Sequence, residues 1–205
     1  MTIKNGRIPA SQLVVVANGK KLRKGAPANS FKRMSDRSHA KGYGHIGLAD
    51  GYRDIAGQDR AWAAYKAGTG NLAAWPGTSN HGLGISGDLL EPYATTGPKH
   101  SWLEARAAFY GWYWEGKAFH PIETWHWTFK GFPARPILRR GAEGDAVTAW
   151  QCVLRYDLHL SASVLHMDGI FGPVAERYTK QWQKAHKLTT DGIPGPKTWK
   201  AAGLA

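Results

Sequence analysis

The sequence predicts an α+β fold: a small antiparallel sheet with flanking helices, followed by a small three-helix bundle. Three observations predict it. Over residues 1–132, short apolar runs bounded by turn residues alternate with stretches of helical periodicity. Two prolines fall within Pro133-Ala134-Arg135-Pro136, where they stiffen the backbone and disfavour regular structure. Beyond them a hexapeptide, Asp-Gly-Ile-x-Gly-Pro, occurs twice. The expected organisation is therefore a first domain over 1–132, a linker over 133–136 and a second domain over 137–205.

The chain of 205 residues accommodates one medium domain or two small ones. A hydrophobic content of 42% suffices for a core, and 25 glycines with 11 prolines imply many turns. In the first domain, strands are expected at Leu13–Ala17, 46–49, 85–90 and 125–129. Helices are expected over 26–34, over 58–67 with Trp62 and Tyr65 on an apolar face, and over 101–112. The last places Trp102, Ala105, Phe109 and Trp112 at helical spacing. Such periodic placement assigns most of the tryptophans to the core.

In the second domain, Asp168-Gly169-Ile170-Phe171-Gly172-Pro173 returns as Asp191-Gly192-Ile193-Pro194-Gly195-Pro196. Asp-Gly makes a tight turn in which glycine supplies a positive φ. Gly-Pro then sets proline at the first position of a helix, where its missing N–H costs nothing. Helices follow over 174–186, with Tyr178 and Trp182 one turn apart, and from Lys197 onward, with Trp199. A third, over 145–156, places Val147, Trp150, Val153 and Leu154 on one face. The bundle is small for an independent core.

The formal charge is +12, positive on both sides of the expected linker. Such a surface favours polyanions: nucleic acid, anionic lipid or the acidic polymers of a bacterial wall. No nucleic-acid-binding motif is present, so no nucleic-acid partner is expected. No run approaches the roughly 18 apolar residues of a membrane helix, so no membrane insertion is expected. The single Cys152 excludes an internal disulfide and a multi-cysteine zinc site, and its amphipathic segment makes it a buried thiol. The apolar run Leu13–Ala17 is short and bounded by Ser11-Gln12 and Asn18-Gly19, a strand and not a signal peptide. Synthesis without an export signal, and a monomeric chain, are expected.

Chemistry concentrates in Ser79-Asn80-His81-Gly82-Leu83-Gly84-Ile85-Ser86-Gly87-Asp88 and in Glu123-Thr124-Trp125-His126-Trp127. Two imidazoles and one carboxylate are a common catalytic zinc set, and three protein ligands leave a fourth position open. His81 and Asp88 are too far apart for one helical turn, but the glycines between them let the backbone fold back. His126 offers a third ligand from a separate segment. Glu123 lies three residues before it, and Pro121 argues for a bend that turns both side chains to one place. A carboxylate there can take a proton from water whose pKa a metal lowers to about 7. His-Glu-x-x-His is absent. Any one of nine histidines is more commonly a surface or packing residue, and composition does not lift His81 above His39, His45 or His100. The ordered pattern does.

That pattern resembles the VanY-like zinc D-alanyl-D-alanine carboxypeptidases and related phage peptidoglycan peptidases. It carries their Ser-x-His-x-x-Gly-x-Ala-x-Asp on Ser79, His81, Gly84 and Asp88, with Ser86 in place of alanine, and their Glu-x-x-His on Glu123 and His126. Gly51-Tyr52-Arg53 with Gln58 matches a third family element, and the likeness covers residues 5–130. The resemblance implies Zn2+ held by His81, Asp88 and His126, Glu123 as base and then acid, and Arg53 at the oxyanion. It further implies that Ser79 and Gln58 bind substrate.

Residues 137–205 resemble the three-helix peptidoglycan-binding domain. The likeness rests on Leu138-Arg139-Arg140-Gly141, Gly144, Val147, Trp150-Gln151, Leu154, both hexapeptides, Trp182-Gln183 and Thr198-Trp199. Tryptophan stands where that family usually has leucine or phenylalanine before glutamine. The two resemblances together imply a phage endolysin. It would be made in the host cytoplasm and act at the wall on an amide bond of the peptidoglycan stem peptide. Two alternatives stay open: a non-catalytic wall-binding or virion structural protein, and a host D-Ala-D-Ala carboxypeptidase of wall remodelling. The bond itself, D-Ala-D-Ala, L-Ala-D-Glu or cross-bridge, is also left open.

Overall fold

The computed structural model describes residues 3–132 and 135–204. Positions 133 and 134 of the expected linker lie outside the described residues. The chain forms two compact units, Met1–Gly131 and Phe132–Ala205. The fold class is α+β, with small antiparallel sheets and helices in the first unit and helices in the second.

The first unit opens with a hairpin of β1 (Leu13–Ala17) and β2 (Lys20–Arg23), joined through Asn18 and Gly19 at φ 48° and 72°. A two-residue hairpin needs both positive angles. β2 reads Lys-Lys-Leu-Arg with only Leu22 buried, so its apolar pattern was too thin to mark a strand. Helix α1 (Ala26–Ala40) runs beyond the expected end at 34. Its later turns bury serines rather than apolar residues. The Ser35 hydroxyl accepts from Ile46 N at 2.9 Å and the Ser38 hydroxyl bonds the Tyr93 hydroxyl.

Next come β3 (Leu48–Asp50) and α2 (Ile55–Lys66). Asp54 caps α2 by accepting from Gly57 N at 2.7 Å. Then follow β4 (Ser86–Leu89), α3 (Pro98–Arg106), β5 (Trp112–Tyr113) and β6 (His126–Phe129). The second sheet is antiparallel in the order β3-β4-β6-β5. The helix expected over 101–112 stops at Arg106, passes through a 3₁₀ turn at Ala107–Tyr110 and reverses at Gly111, φ 78°. Trp112 instead pairs with Phe129 in the sheet and is buried against Phe31 and Phe129, with centroids at 5.5 and 5.9 Å. Burial of the indole outweighs helical spacing.

The register sorts this sheet into two faces. Gly87 lies opposite Trp127, Leu48 opposite Leu89, and Trp112 opposite Phe129, which makes one face apolar and buried. Asp88 lies opposite His126 and Ser86 opposite Thr128, so the other face is polar. Among the first unit's tryptophans only Trp112 and Trp127 are fully buried. Trp62, Trp102, Trp114 and Trp125 are half-buried, and Trp75 is 64% exposed, which departs from a mostly core role. Among the described residues no helix is long and apolar enough to cross a membrane.

The second unit packs α4 (Asp145–Asp157), α5 (Pro173–Ala185) and α6 (Pro196–Ala201). Trp150 meets Trp182 and Trp199 edge-on, each at 5.2 Å, and all three are fully buried. Their N–H groups are satisfied by Thr179 Oγ1, Asp157 Oδ2 and Pro136 O, at 2.7, 2.9 and 2.9 Å. Cys152 is buried.

Each hexapeptide turn is clamped by one buried glutamine. Gln151 Nε2 donates to Asp168 Oδ1 and Ile170 O at 2.7 and 2.9 Å, and its Oε1 accepts from Gly169 N at 3.0 Å. Gln183 repeats this on Asp191 Oδ1, Ile193 O and Gly192 N, at 2.8, 3.2 and 2.8 Å. This is the physical reason for glutamine after each tryptophan. Gln183→Leu strips Gly192 N–H and Ile193 C=O of their partner, and a loss of about 1–3 kcal/mol for each unpaired group is expected. Urea unfolding followed by tryptophan fluorescence measures it, and an unchanged midpoint would refute the clamp. Burial pushes the Asp168 and Asp191 carboxyls up, but hydrogen bonds from the Ile170 and Ile193 N–H groups and from the glutamines outweigh it and hold both below the usual value. Lowered folded values contribute stability that is fully present above the unfolded aspartate pKa of about 3.9 and is lost as pH falls from there through the lower folded value. The melting temperature is therefore expected to fall as the pH drops below about 4, less steeply in Asp191→Asn.

Candidate metal centre

His81 sits in a 3₁₀ turn, Asn80–Leu83, capped by Ser79, whose Oγ accepts from His81 N at 3.2 Å. Gly84 closes the turn at φ 63°, with Arg23 N only 2.9 Å from where a Cβ would stand. The His81 ring is fixed by Nδ1 against Gly51 O at 2.7 Å. A carbonyl only accepts, so Nδ1 carries the proton and Nε2 presents its lone pair. Asp88 and His126 need no such turn, because they are direct cross-strand partners on β4 and β6.

Three donor atoms converge. Asp88 Oδ1 lies 2.9 Å from His126 Nδ1 and 3.4 Å from His81 Nε2, and the two ring nitrogens are 3.3 Å apart. Zinc bonds of about 2.0–2.2 Å in tetrahedral geometry place ligand atoms about 3.3–3.5 Å from one another. The donor set and spacing fit such an ion, and the mix of imidazole with one carboxylate suits zinc. The three are the metal-ligand group found among the described residues.

The surroundings are strongly polarised. Burial would raise the Asp88 carboxyl, yet the adjoining His126 and His81 rings, with the His126 hydrogen bond foremost, hold it well below the usual range. Burial likewise disfavours the His126 cation, but its hydrogen bond to Asp88 and the nearby Glu115 carboxylate outweigh that and push the ring up to about 9. Glu123 moves upward, chiefly through burial.

Glu123 is held by its backbone. Its N–H donates to Gly116 O at 3.0 Å, and its carbonyl accepts from Trp114 Nε1 at 2.9 Å and from His126 N at 3.2 Å. The turn this makes sets Glu123 and His126 on the same cavity of about 480 Å³, together with Arg53, Ser79, His81 and Asp88. Among the described residues the Glu123 carboxylate has no hydrogen-bond donor. Ala61 and Ala64 of α2, Leu72, Phe119 and Trp125 give the cavity an apolar wall.

Arg53 lines the cavity but is anchored to Asp50 Oδ2 through Nε at 3.0 Å and Nη2 at 2.5 Å, and its Nη2 is 3.9 Å from Asp88 Oδ2. Gln58 stands apart. Expected to touch substrate, it is 1% exposed and does not line the cavity. Its Nε2 donates to Asn5 Oδ1 and Arg53 O, and its Oε1 accepts from Gly77 N at 2.8 Å. Its polar atoms are spent on holding the chain around Arg53. The sequence reading also passed over Glu115 and Thr128. Ser86, Thr128 and Glu115 form one hydrogen-bonded line beside His126, with Ser86 Oγ and Thr128 Oγ1 at 2.6 Å and Thr128 Oγ1 donating to Glu115 Oε2 at 2.7 Å. No spacing rule links these three; only strand register does.

A family model described as "D-alanyl-D-alanine carboxypeptidase" (VanY) matches residues 19–132, and one described as "Putative peptidoglycan binding domain" matches residues 143–202. An uncharacterized protein of the bpoA1 3′ region of Kitasatospora aureofaciens is 38% identical over 66 residues, 32% of this chain and 54% of its own length. The chain thus spans about half the length of the curated relative it matches. Among solved structures, a zinc complex of a mutant vancomycin-resistance D,D-pentapeptidase VanY is 25% identical, covers 63% of this chain and 87% of its own, and has a TM-score of 0.45. A Burkholderia AP3 phage endolysin is 33% identical over 33% of this chain and 24% of its own, with a TM-score of 0.30. The family match rests on the sequence of more than half the chain, and the chain belongs to the VanY D-alanyl-D-alanine carboxypeptidase family, with a peptidoglycan-binding domain following the catalytic-family region.

Proposed function

We propose that residues 1–132 are a zinc-dependent peptidase that hydrolyses an amide bond in the stem peptide of bacterial peptidoglycan, and that residues 137–205 hold it to the wall. One observation carries this reading: His81, Asp88 and His126 meet at 2.9–3.4 Å on a cavity that also presents an unbonded carboxylate, Glu123. A metal held by these three residues supplies a Lewis acid that lowers the pKa of water to about 7 and polarises a carbonyl.

The chain's own residues do the rest. Glu123 accepts a proton from the attacking water on its carboxylate and returns it to the leaving amine nitrogen, a double role that a raised pKa favours. The nearby Glu115 is held low by the His126 ring beside it and by Thr128, Lys130 and Asn80, so the pKa values of the two glutamates are driven apart and only Glu123 suits proton transfer. Arg53, fixed by Asp50, sets positive charge where negative charge develops on the carbonyl oxygen. Ser79 presents its hydroxyl at the cavity wall, and the apolar side excludes water from the bound peptide.

The finer reading is a phage endolysin, made in the host cytoplasm and acting at its wall. A wall-binding unit joined to a peptidase-family unit supports it, as does a charge of +12 that complements anionic wall polymers. The family description favours the terminal D-alanyl-D-alanine bond. Mass spectrometry of muropeptides released from purified sacculi identifies the bond: a lost terminal alanine marks a carboxypeptidase, a freed stem peptide an endopeptidase. Stem peptides left unchanged by the zinc-loaded protein would refute the peptidase.

Chelation is expected to abolish hydrolysis and added zinc to restore it, and chelator-insensitive activity would remove the metal from the mechanism. Glu123→Ala is expected to keep its zinc while kcat falls about 10²–10⁴-fold; full turnover in that variant would strike Glu123 from its role. Gly116 offers an independent handle, because a Cβ there would lie 2.0 Å from the Glu123 carbonyl oxygen. Gly116→Ala is expected to displace Glu123 and lower kcat by about 10²-fold with zinc content unchanged. Zinc content by atomic absorption and steady-state kinetics read the two effects separately.

A further inference from the structure

Glu115 is the most heavily engaged acidic group on the polar face of the sheet. It follows β5, whose Tyr113 lies opposite Thr128, and so continues the side of the sheet that carries Thr128 and His126. Its Oε2 accepts from Asn80 Nδ2 at 2.9 Å and from Thr128 Oγ1 at 2.7 Å, and lies 3.7 Å from His126 Nε2. Its Oε1 takes Lys130 Nζ at 3.0 Å. Thr128 Oγ1, having given its proton to Glu115, has lone pairs left for Ser86 Oγ at 2.6 Å and His126 Nε2 at 3.3 Å.

We propose that Glu115 is a positioning residue for the metal site: through Thr128 it holds the His126 ring with Nδ1 toward the metal, and through Asn80 it ties down the turn that carries His81. The inference rests on the zinc reading above. Two observations on separate elements support it. His126 has Nδ1 on Asp88, which leaves Nε2 as the nitrogen that must find an acceptor, and the hydroxyl and carboxylate in reach are Thr128 and Glu115. Asn80 is the immediate neighbour of His81, so a single carboxylate joins both histidine-bearing segments and sets the spacing of the two rings. A carboxylate behind a ligating imidazole fixes its ring and tautomer, and loss of such a partner typically costs 10–100-fold in metal affinity.

The test compares the full-length protein with Glu115→Ala, Thr128→Val and Thr128→Ser. Zinc affinity is read by competition with a chromophoric chelator, ligand geometry by the absorption bands of the cobalt(II)-substituted protein, and folding by the melting temperature. Glu115→Ala and Thr128→Val are expected to bind zinc about 10–100-fold more weakly, with displaced cobalt bands. Thr128→Ser keeps the hydroxyl and is expected to match the wild type. Should Glu115→Ala fail to fold, Thr128→Val decides. Folded variants that bind zinc within twofold of wild type with unchanged bands would overturn the inference while leaving the metal site intact, as would a loss in Thr128→Ser equal to that in Thr128→Val. A wild-type protein that binds no zinc would instead overturn the metal reading, and this inference with it.

Discussion

The pairing register of β4 with β6 is the constraint on which the site depends. It sets Asp88 against His126 and Ser86 against Thr128 on one face, and Gly87 against Trp127 on the other. A slip of one residue would carry Asp88 into the apolar layer and Trp127 into the cavity. Burial of Trp127, Leu89 and Phe129 opposes that slip, at about 1.5–3 kcal/mol for each large side chain kept from water. The apolar face therefore specifies the polar one, and the geometry of the donors is inherited from core packing that touches none of them.

Charge gives the same face its character. Asp88, Glu115 and Glu123 line the cavity with Arg53, which Asp50 holds, while Lys130 pairs with Glu115. In a chain with net charge +12 this is a local excess of negative groups. The same field raises His126, and a divalent cation is the species that would satisfy it most fully. Carboxylates in partial burial are costly unless they are hydrogen-bonded, and Asp88 and Glu115 are. Glu123, on the same cavity, is the exception.

Much of this was legible in the sequence, and the reasons differ by element. His81, Asp88, His126 and Glu123 stood out as an ordered pattern, and the structure brings all four to one cavity. The two Asp-Gly turns were readable because their chemistry is local. Helix 101–112 was misread because Trp112 keeps helical spacing while its indole is needed in the sheet, a choice made by contacts with Phe31 and Phe129. β2 was missed because one buried leucine among basic residues leaves no alternation to see. Gln58 and Glu115 show the deeper limit. Whether a polar side chain faces substrate, supports a neighbour or orients a ligand depends on register and loop packing, which no spacing within the chain encodes.

The strand lengths of the four-stranded sheet also bear on how the protein behaves when concentrated. Its two outer members, β3 and β5, span three and two residues, while the strands between them have four each. Outer strands so short leave little free backbone for a second molecule to pair with, and the abundant lysine and arginine add mutual repulsion. The short outer strands of the sheet that builds the site thus offer a poor template for edge-to-edge pairing between molecules.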